Sequence, residues 1–170
     1  PTVGPYRTAF QTAYDQVLVA HNLKVEYLTR EAANATDMMT FYPAQNPTHF
    51  ITCVEGGRQF LIDGGTPNVY DAGDKLNPSV QRIDLNTGAV ETILRGMTAC
   101  DGITTTAWGT IVATEETSTG GAYEILNPLG VTEQTVIDRV SGMVTDPANI
   151  AKRTALPTMA WEGLAVLPTG

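Results

Sequence analysis

Glu115 and Glu116 are adjacent carboxylates at the end of the run Trp108-Gly109-Thr110-Ile111-Val112-Ala113-Thr114. A β-rich run that ends in acids is a place where β-scaffolds hold metal ions, because carboxylate oxygens suit hard cations. The pattern recurs. Ile51-Thr52-Cys53-Val54-Glu55 matches Ile111-Val112-Ala113-Thr114-Glu115 at a spacing of 60 residues. Asp101-Gly102-Ile103 matches Glu162-Gly163-Leu164 at a spacing of 61, and Gly109 and Gly170 keep that spacing. If each period is one sheet unit, Glu55 and Glu115 occupy equivalent strand ends, with Glu116 beside the second. Asp101 and Glu162 then occupy equivalent turns. Carboxylates that converge in this way repel one another unless a cation neutralises them. Ca²⁺ is the expected ion, with Fe³⁺ or Mn²⁺ if a softer ligand joins. For each acid alone the competing reading is a solvated turn.

Elements that could position these acids follow from the same period. Several short strands within about 60 residues suggest the blades of a β-propeller with long loops. The expected fold is mostly β: a partial β-propeller of about two to three blades with an N-terminal helical segment. Residues 1–42 form that segment, helical or extended, and residues 43–170 the blades. A closed propeller needs about four blades or more. The remainder is therefore expected in a longer parent chain or a partner subunit, and the end at Gly170 reads as the interior of a strand-and-turn unit.

Residues 6–22 carry Phe10, Tyr14, Val17, Leu18 and His21 at helical spacing and predict a helix. Residues 28–41 read as helical or irregular. Predicted strands are His49–Val54, Gln59–Ile62, Val80–Leu85, Ala89–Leu94, Gly109–Thr114, Ala122–Leu126, Val136–Val140 and Leu164–Leu167. Asn86-Thr87-Gly88 joins the third and fourth as a hairpin, with Gly88 supplying the positive φ.

Composition narrows the function. The formal net charge is −8, which argues against nucleic acid and against anionic membranes. No apolar run reaches the ~20 residues of a spanning helix. The two cysteines, Cys53 and Cys100, make either one bridge or two free thiols. His21 and His49 are the only histidines. His21 reads as a packed residue on an apolar helix face, and no zinc spacing is present. There is no Gly-x-Ser-x-Gly nucleophile motif. Trp108 and Trp161 read as packing residues between blades.

Cys100-Asp101-Gly102-Ile103, Thr106-Ala107-Trp108-Gly109-Thr110 and Thr114-Glu115-Glu116, in that order, resemble the signature of the PhoX-type alkaline phosphatases. Met159-Ala160-Trp161-Glu162-Gly163 resembles a later segment of that family, and Cys53-Val54-Glu55 an earlier one. The resemblance covers roughly residues 43–170. It implies a secreted or periplasmic β-propeller with a central iron and calcium cluster that hydrolyses small phosphorylated substrates. It also implies metal ligation by Glu115, Glu116 and Glu162, with Glu55 as a further ligand, and by a cysteine on the iron. The family cysteine lies seven positions before the Trp, where this chain has Asp101, with Cys100 one position further away. An Asp in that place favours an all-oxygen site, hence Ca²⁺ over Fe³⁺. Two other classes fit the same repeat: a non-catalytic calcium-stabilised module with a structural or binding role, and a calcium-dependent propeller lactonase or esterase.

Overall fold

The computed structural model of the chain describes residues 11–58 and 75–167. It is mostly β, with two sheets and no α-helix among the described residues. The first sheet begins as an antiparallel meander of β1 (Thr36–Tyr42), β2 (His49–Val54), β3 (Pro78–Asp84) and β4 (Val90–Arg95). The second contains β5 (Cys100–Thr105), β6 (Ile111–Glu115) and β7 (Ala122–Ile125), again antiparallel. The chain then returns to the first sheet, where β8 (Gln134–Asp138) pairs parallel to β4 and β9 (Met143–Val144) pairs with β8. It crosses back once more, and β10 (Ile150–Lys152) pairs with β7. This exchange interlocks the sheets, so neither completes its edge from its own stretch of sequence. The described residues form neither a closed barrel nor a closed ring.

The core lies between and within the sheets and is built from their β-branched and aromatic positions. Ile51, Val80, Ile93, Ile111, Tyr123, Ile125 and Val136 are fully buried. Several strands are buried on both faces, so they read as continuous runs rather than alternating ones. The Cys53–Cys100 disulfide joins β2 to β5. Thr105 Oγ1 donates to the Phe41 carbonyl at 2.7 Å, and Tyr42 Oη to the Gly109 carbonyl at 2.8 Å. These contacts hold β1 beside β5 without a shared ladder.

The hairpin at Asn86-Thr87-Gly88 forms as its sequence predicts. Asp84 Oδ1 accepts from the backbone N–H groups of Asn86 and Thr87, each at 2.8 Å, and Gly88 has φ +73°. The predicted strands at 49, 80, 89, 109, 122 and 136 are present, with ends shifted by up to two residues. The predicted strand at 59–62 lies outside the described residues.

Three expectations are corrected. Of the helix predicted over 6–22, the described part forms only a 3₁₀ turn at Ala13–Asp15. Tyr14, Val17 and Leu18 stay exposed, and His21 with them. Helical periodicity without a surface to bury against does not sustain a short helix. Residues 36–41, the end of the 28–41 stretch read as helical or irregular, form β1 with Tyr42, so the boundary at 42/43 falls inside the β1–β2 hairpin. Leu164–Leu167 is not a strand, because nothing pairs with it.

The disulfide closes 47 residues of sequence between its partners. A loop of that size predicts that Cys53→Ala/Cys100→Ala lowers unfolding stability by about 2–4 kcal/mol. Urea denaturation checks this, and an unchanged midpoint would show that the sheets dock independently of the bridge.

Candidate cation site at the acidic strand ends

The two leading hairpins share one irregularity. In the first, Thr36 faces Val54 and the register slips before Met39 faces Thr52. In the second, Cys100 faces Glu115 and the register slips before Ile103 faces Ala113. Asp37 and Asp101 therefore occupy the same place in equivalent bulges. Two residues before each, Ala35 and Ala99 sit in the left-handed region at φ +61° and +46°. The Ala35 carbonyl accepts from the Glu55 N–H at 2.8 Å, and the Ala99 carbonyl from the Glu116 N–H at 2.7 Å. The structural counterpart of Glu55 is thus Glu116, not Glu115. Sequence spacing missed this because the one-residue shift leaves the apolar pattern nearly unchanged.

Glu162 joins them from a third position. Residues 160–164 run beside β5: Glu116 bridges Ala160, and a Cβ on Gly102 would lie 3.1 Å from the Gly163 Cα. Gly102 is thus the residue that lets this segment approach the bulge so closely. Asp101 is 7 % exposed, and its carboxyl has no hydrogen-bond or ion-pair partner. Burial is the main force that pushes its pKa up to about 6, and the charges of Asp37, Glu116, Glu55 and Glu162 add to it. Four carboxylates from three segments therefore act on Asp101. Asp37 is not singled out by the sequence, because it lies in the stretch that reads as helical or irregular.

Glu115 has a different fate. It is 1 % exposed and lies away from solvent, against Arg139. Arg139 Nε donates to Oε1 at 2.6 Å and Nη2 to Oε2 at 3.1 Å. The backbone N–H of Thr98 donates to Oε1 at 2.7 Å, and that of Gly121 to Oε2 at 3.0 Å. The pairing raises the pKa of Arg139, chiefly through the Glu115 hydrogen bonds. A carboxylate satisfied by four donors has little left to offer a metal.

Nothing in the spacing or motifs singles out Glu124, which is also buried. It accepts from Trp108 Nε1 at 2.8 Å, from Thr110 Oγ1 at 2.5 Å and from Arg153 Nε at 2.5 Å. Burial opposes its ionisation, but the Thr110, Trp108 and Arg153 hydrogen bonds outweigh it and hold the pKa below the usual range. Trp108 is 54 % exposed, so it caps this carboxylate rather than packing between sheets. Of the two histidines, His49 contacts Thr48 Oγ1 at 2.8 Å and lies 3.9 Å from Asp84.

The expected ligand set thus divides. Glu55, Glu116 and Glu162 act on Asp101. Glu115 is committed to Arg139, and Cys100 is closed in a disulfide, so no thiolate is free for iron. The remaining donors are all carboxylate oxygens, which fit Ca²⁺ and do not fit the thiolate-bound iron of the resemblance. As the side chains stand, no three His, Cys, Asp or Glu among the described residues are grouped closely enough to hold an ion. Glu55, Glu162 and Asp37 are exposed. Comparison with family models, characterised proteins and solved structures finds no match to this chain.

Arg139→Ala strands the Glu115 carboxylate in the core, and a loss of about 3–5 kcal/mol is expected. The pair Arg139→Met/Glu115→Leu recovers most of that loss. Urea denaturation of the single and double variants checks the cycle, and equal losses in both would show that the pair is not coupled.

Proposed function

We propose that the chain is part of a β-propeller of PhoX type, and that its acidic strand ends bind a hard cation, Ca²⁺, to hold neighbouring sheet units together. The observation that carries this reading is Asp101: a residue 7 % exposed whose carboxyl has no hydrogen-bond or ion-pair partner and feels the negative charge of four further acids from three chain segments. Such a group is costly to ionise alone, and a bound cation removes the cost. When bound, Ca²⁺ would supply two positive charges and an oxygen-rich coordination sphere. Asp101 would anchor it from the bulge of β5. Glu116, Glu162, Asp37 and Glu55 are the carboxylates that would complete its hold.

The geometry favours a calcium-stabilised structural or binding module over phosphomonoester hydrolysis. The four charges that act most strongly on Asp101 are all negative, and none of the basic residues described above joins them. A phosphate would meet repulsion there unless cations outnumbered the acids. The two repeated hairpins, each with the same bulge, support the propeller reading. The Cys53–Cys100 bridge supports an oxidising, secreted or periplasmic location.

The pH dependence has a definite sign. With a folded pKa near 6, above its ordinary 3.8, Asp101 favours the folded state below about pH 4. That contribution is lost as the pH rises through 6 in metal-free protein. Millimolar Ca²⁺ at pH 7 should restore it, whereas Asp101→Asn should remove both the pH dependence and the calcium response. Denaturation in chelator and in Ca²⁺, at pH 4.5 and 7, reads this directly. Equal calcium stabilisation of wild type and Asp101→Asn would refute the site, and so would the absence of any response.

A further inference from the structure

A cleft of about 480 Å³ lies against β6 and β7. Small-molecule sites run from about 300 to 1,000 Å³, so it can hold one compact ligand. Its surface is mainly apolar and includes Val112, Leu156, Leu164 and the indoles of Trp108 and Trp161. Backbone bonds hold its walls. The Arg153 N–H donates to the Ala122 carbonyl at 2.8 Å, the Leu156 N–H to the Arg153 carbonyl at 3.1 Å and the Trp161 N–H to the Glu115 carbonyl at 3.2 Å. Trp108 sits in the turn between β5 and β6, where the Thr106 N–H donates to the Thr110 carbonyl at 2.9 Å. Its Nε1–H is tied to Glu124. An indole that is 54 % exposed is therefore fixed before any ligand arrives, which lowers the cost of binding.

Glu124 and Arg153 are the charged side chains in the lining. Glu124 is saturated. Its Oε1 accepts from Trp108 Nε1 and Thr110 Oγ1, and its Oε2 from Arg153 Nε and Nη2. Two donors on each oxygen leave no acceptor for a ligand. Arg153 is not saturated. Its guanidinium has five N–H donors, and Glu124 is its one side-chain partner among the described residues. The Nη1–Nη2 edge still offers two parallel N–H groups, the pattern that fits a planar carboxylate. A guanidinium already paired with one carboxylate, in a mainly apolar cleft, suits a single negative charge better than a phosphate dianion. We propose that this cleft binds a small aromatic carboxylate. The ring lies against the two indoles, and the carboxylate meets the free edge of Arg153. The cleft shares no residue with the cation site at Asp101, so neither inference depends on the other.

The chain has two tryptophans, and both line this cleft. Their indole N–H signals in isotope-labelled protein therefore read it directly by NMR. Naphthalene-2-carboxylate is the probe, titrated into the whole chain in chelator. It should shift both signals saturably, and the matching amine, naphthalene-2-methylamine, should bind at least tenfold more weakly. Arg153→Gln should weaken the carboxylate at least tenfold while the neutral naphthalene-2-methanol stays within twofold of its affinity for wild type. Arg153→Gln/Glu124→Gln keeps a neutral hydrogen-bonding pair and repeats the comparison if the single variant does not fold. No saturable shift of either signal at millimolar probe would overturn the proposal. Equal affinity for the carboxylate and the amine would also overturn it, as would equal weakening of the carboxylate and the alcohol by the substitution. Signals that shift with protein concentration in the absence of probe would overturn it in favour of self-association through the cleft.

Discussion

The buried Glu115–Arg139 pair is the interaction on which most of the fold converges. Glu115 ends β6, and its carboxylate fixes the N–H of Thr98 ahead of β5 and that of Gly121 ahead of β7. Arg139 arrives from just beyond β8, which belongs to the other sheet. Its carbonyl accepts in turn from Lys152 Nζ on β10, at 2.5 Å. One ion pair thereby fastens the points where the chain crosses between sheets. An apolar pair of the same size could stabilise as much. The ion pair adds direction, since four donors must meet two oxygens in one arrangement.

That pair also explains why the acids of this chain behave differently. Glu115 and Glu124 are neutralised from within by Arg139 and Arg153, and both serve the structure. Arg95 does the same for Glu133, whose pKa falls to about 2, mainly through the Arg95 hydrogen bonds. Asp101, by contrast, has no countercharge and feels further negative charge from Asp37, Glu116, Glu55 and Glu162. A net charge of −8 is therefore not spread evenly as a solvated surface. Part of it is gathered where the two hairpins and the third segment meet.

Particular residues show how far the sequence could be read. Asp84, Asn86, Thr87 and Gly88 specify their hairpin locally, through an Asx turn and one left-handed glycine, so its position was legible. β1 was not, because Asp37-Met38-Met39 carries weak strand propensity and becomes a strand only by pairing with β2. The 6–22 pattern had the right period for a helix but no surface for its apolar side. The repeat was legible, though with the wrong Glu in register: Glu116, not Glu115, is the partner of Glu55. Neither spacing nor composition could reveal Arg139 or Arg153, because each meets its carboxylate only across strands far apart in sequence.

By itself, the sequence determined a mostly β chain, a weak repeat near 60 residues, and a set of acids at recurring places in it. These follow from local chemistry: alternation, turn residues and spacing. The tertiary structure alone decided which acids are free. That choice depends on which carboxylate an arginine can reach once the two sheets exchange strands, and on which is buried before any donor reaches it. Glu115 is claimed in this way and Asp101 is not, although the two stand only 14 residues apart in the sequence.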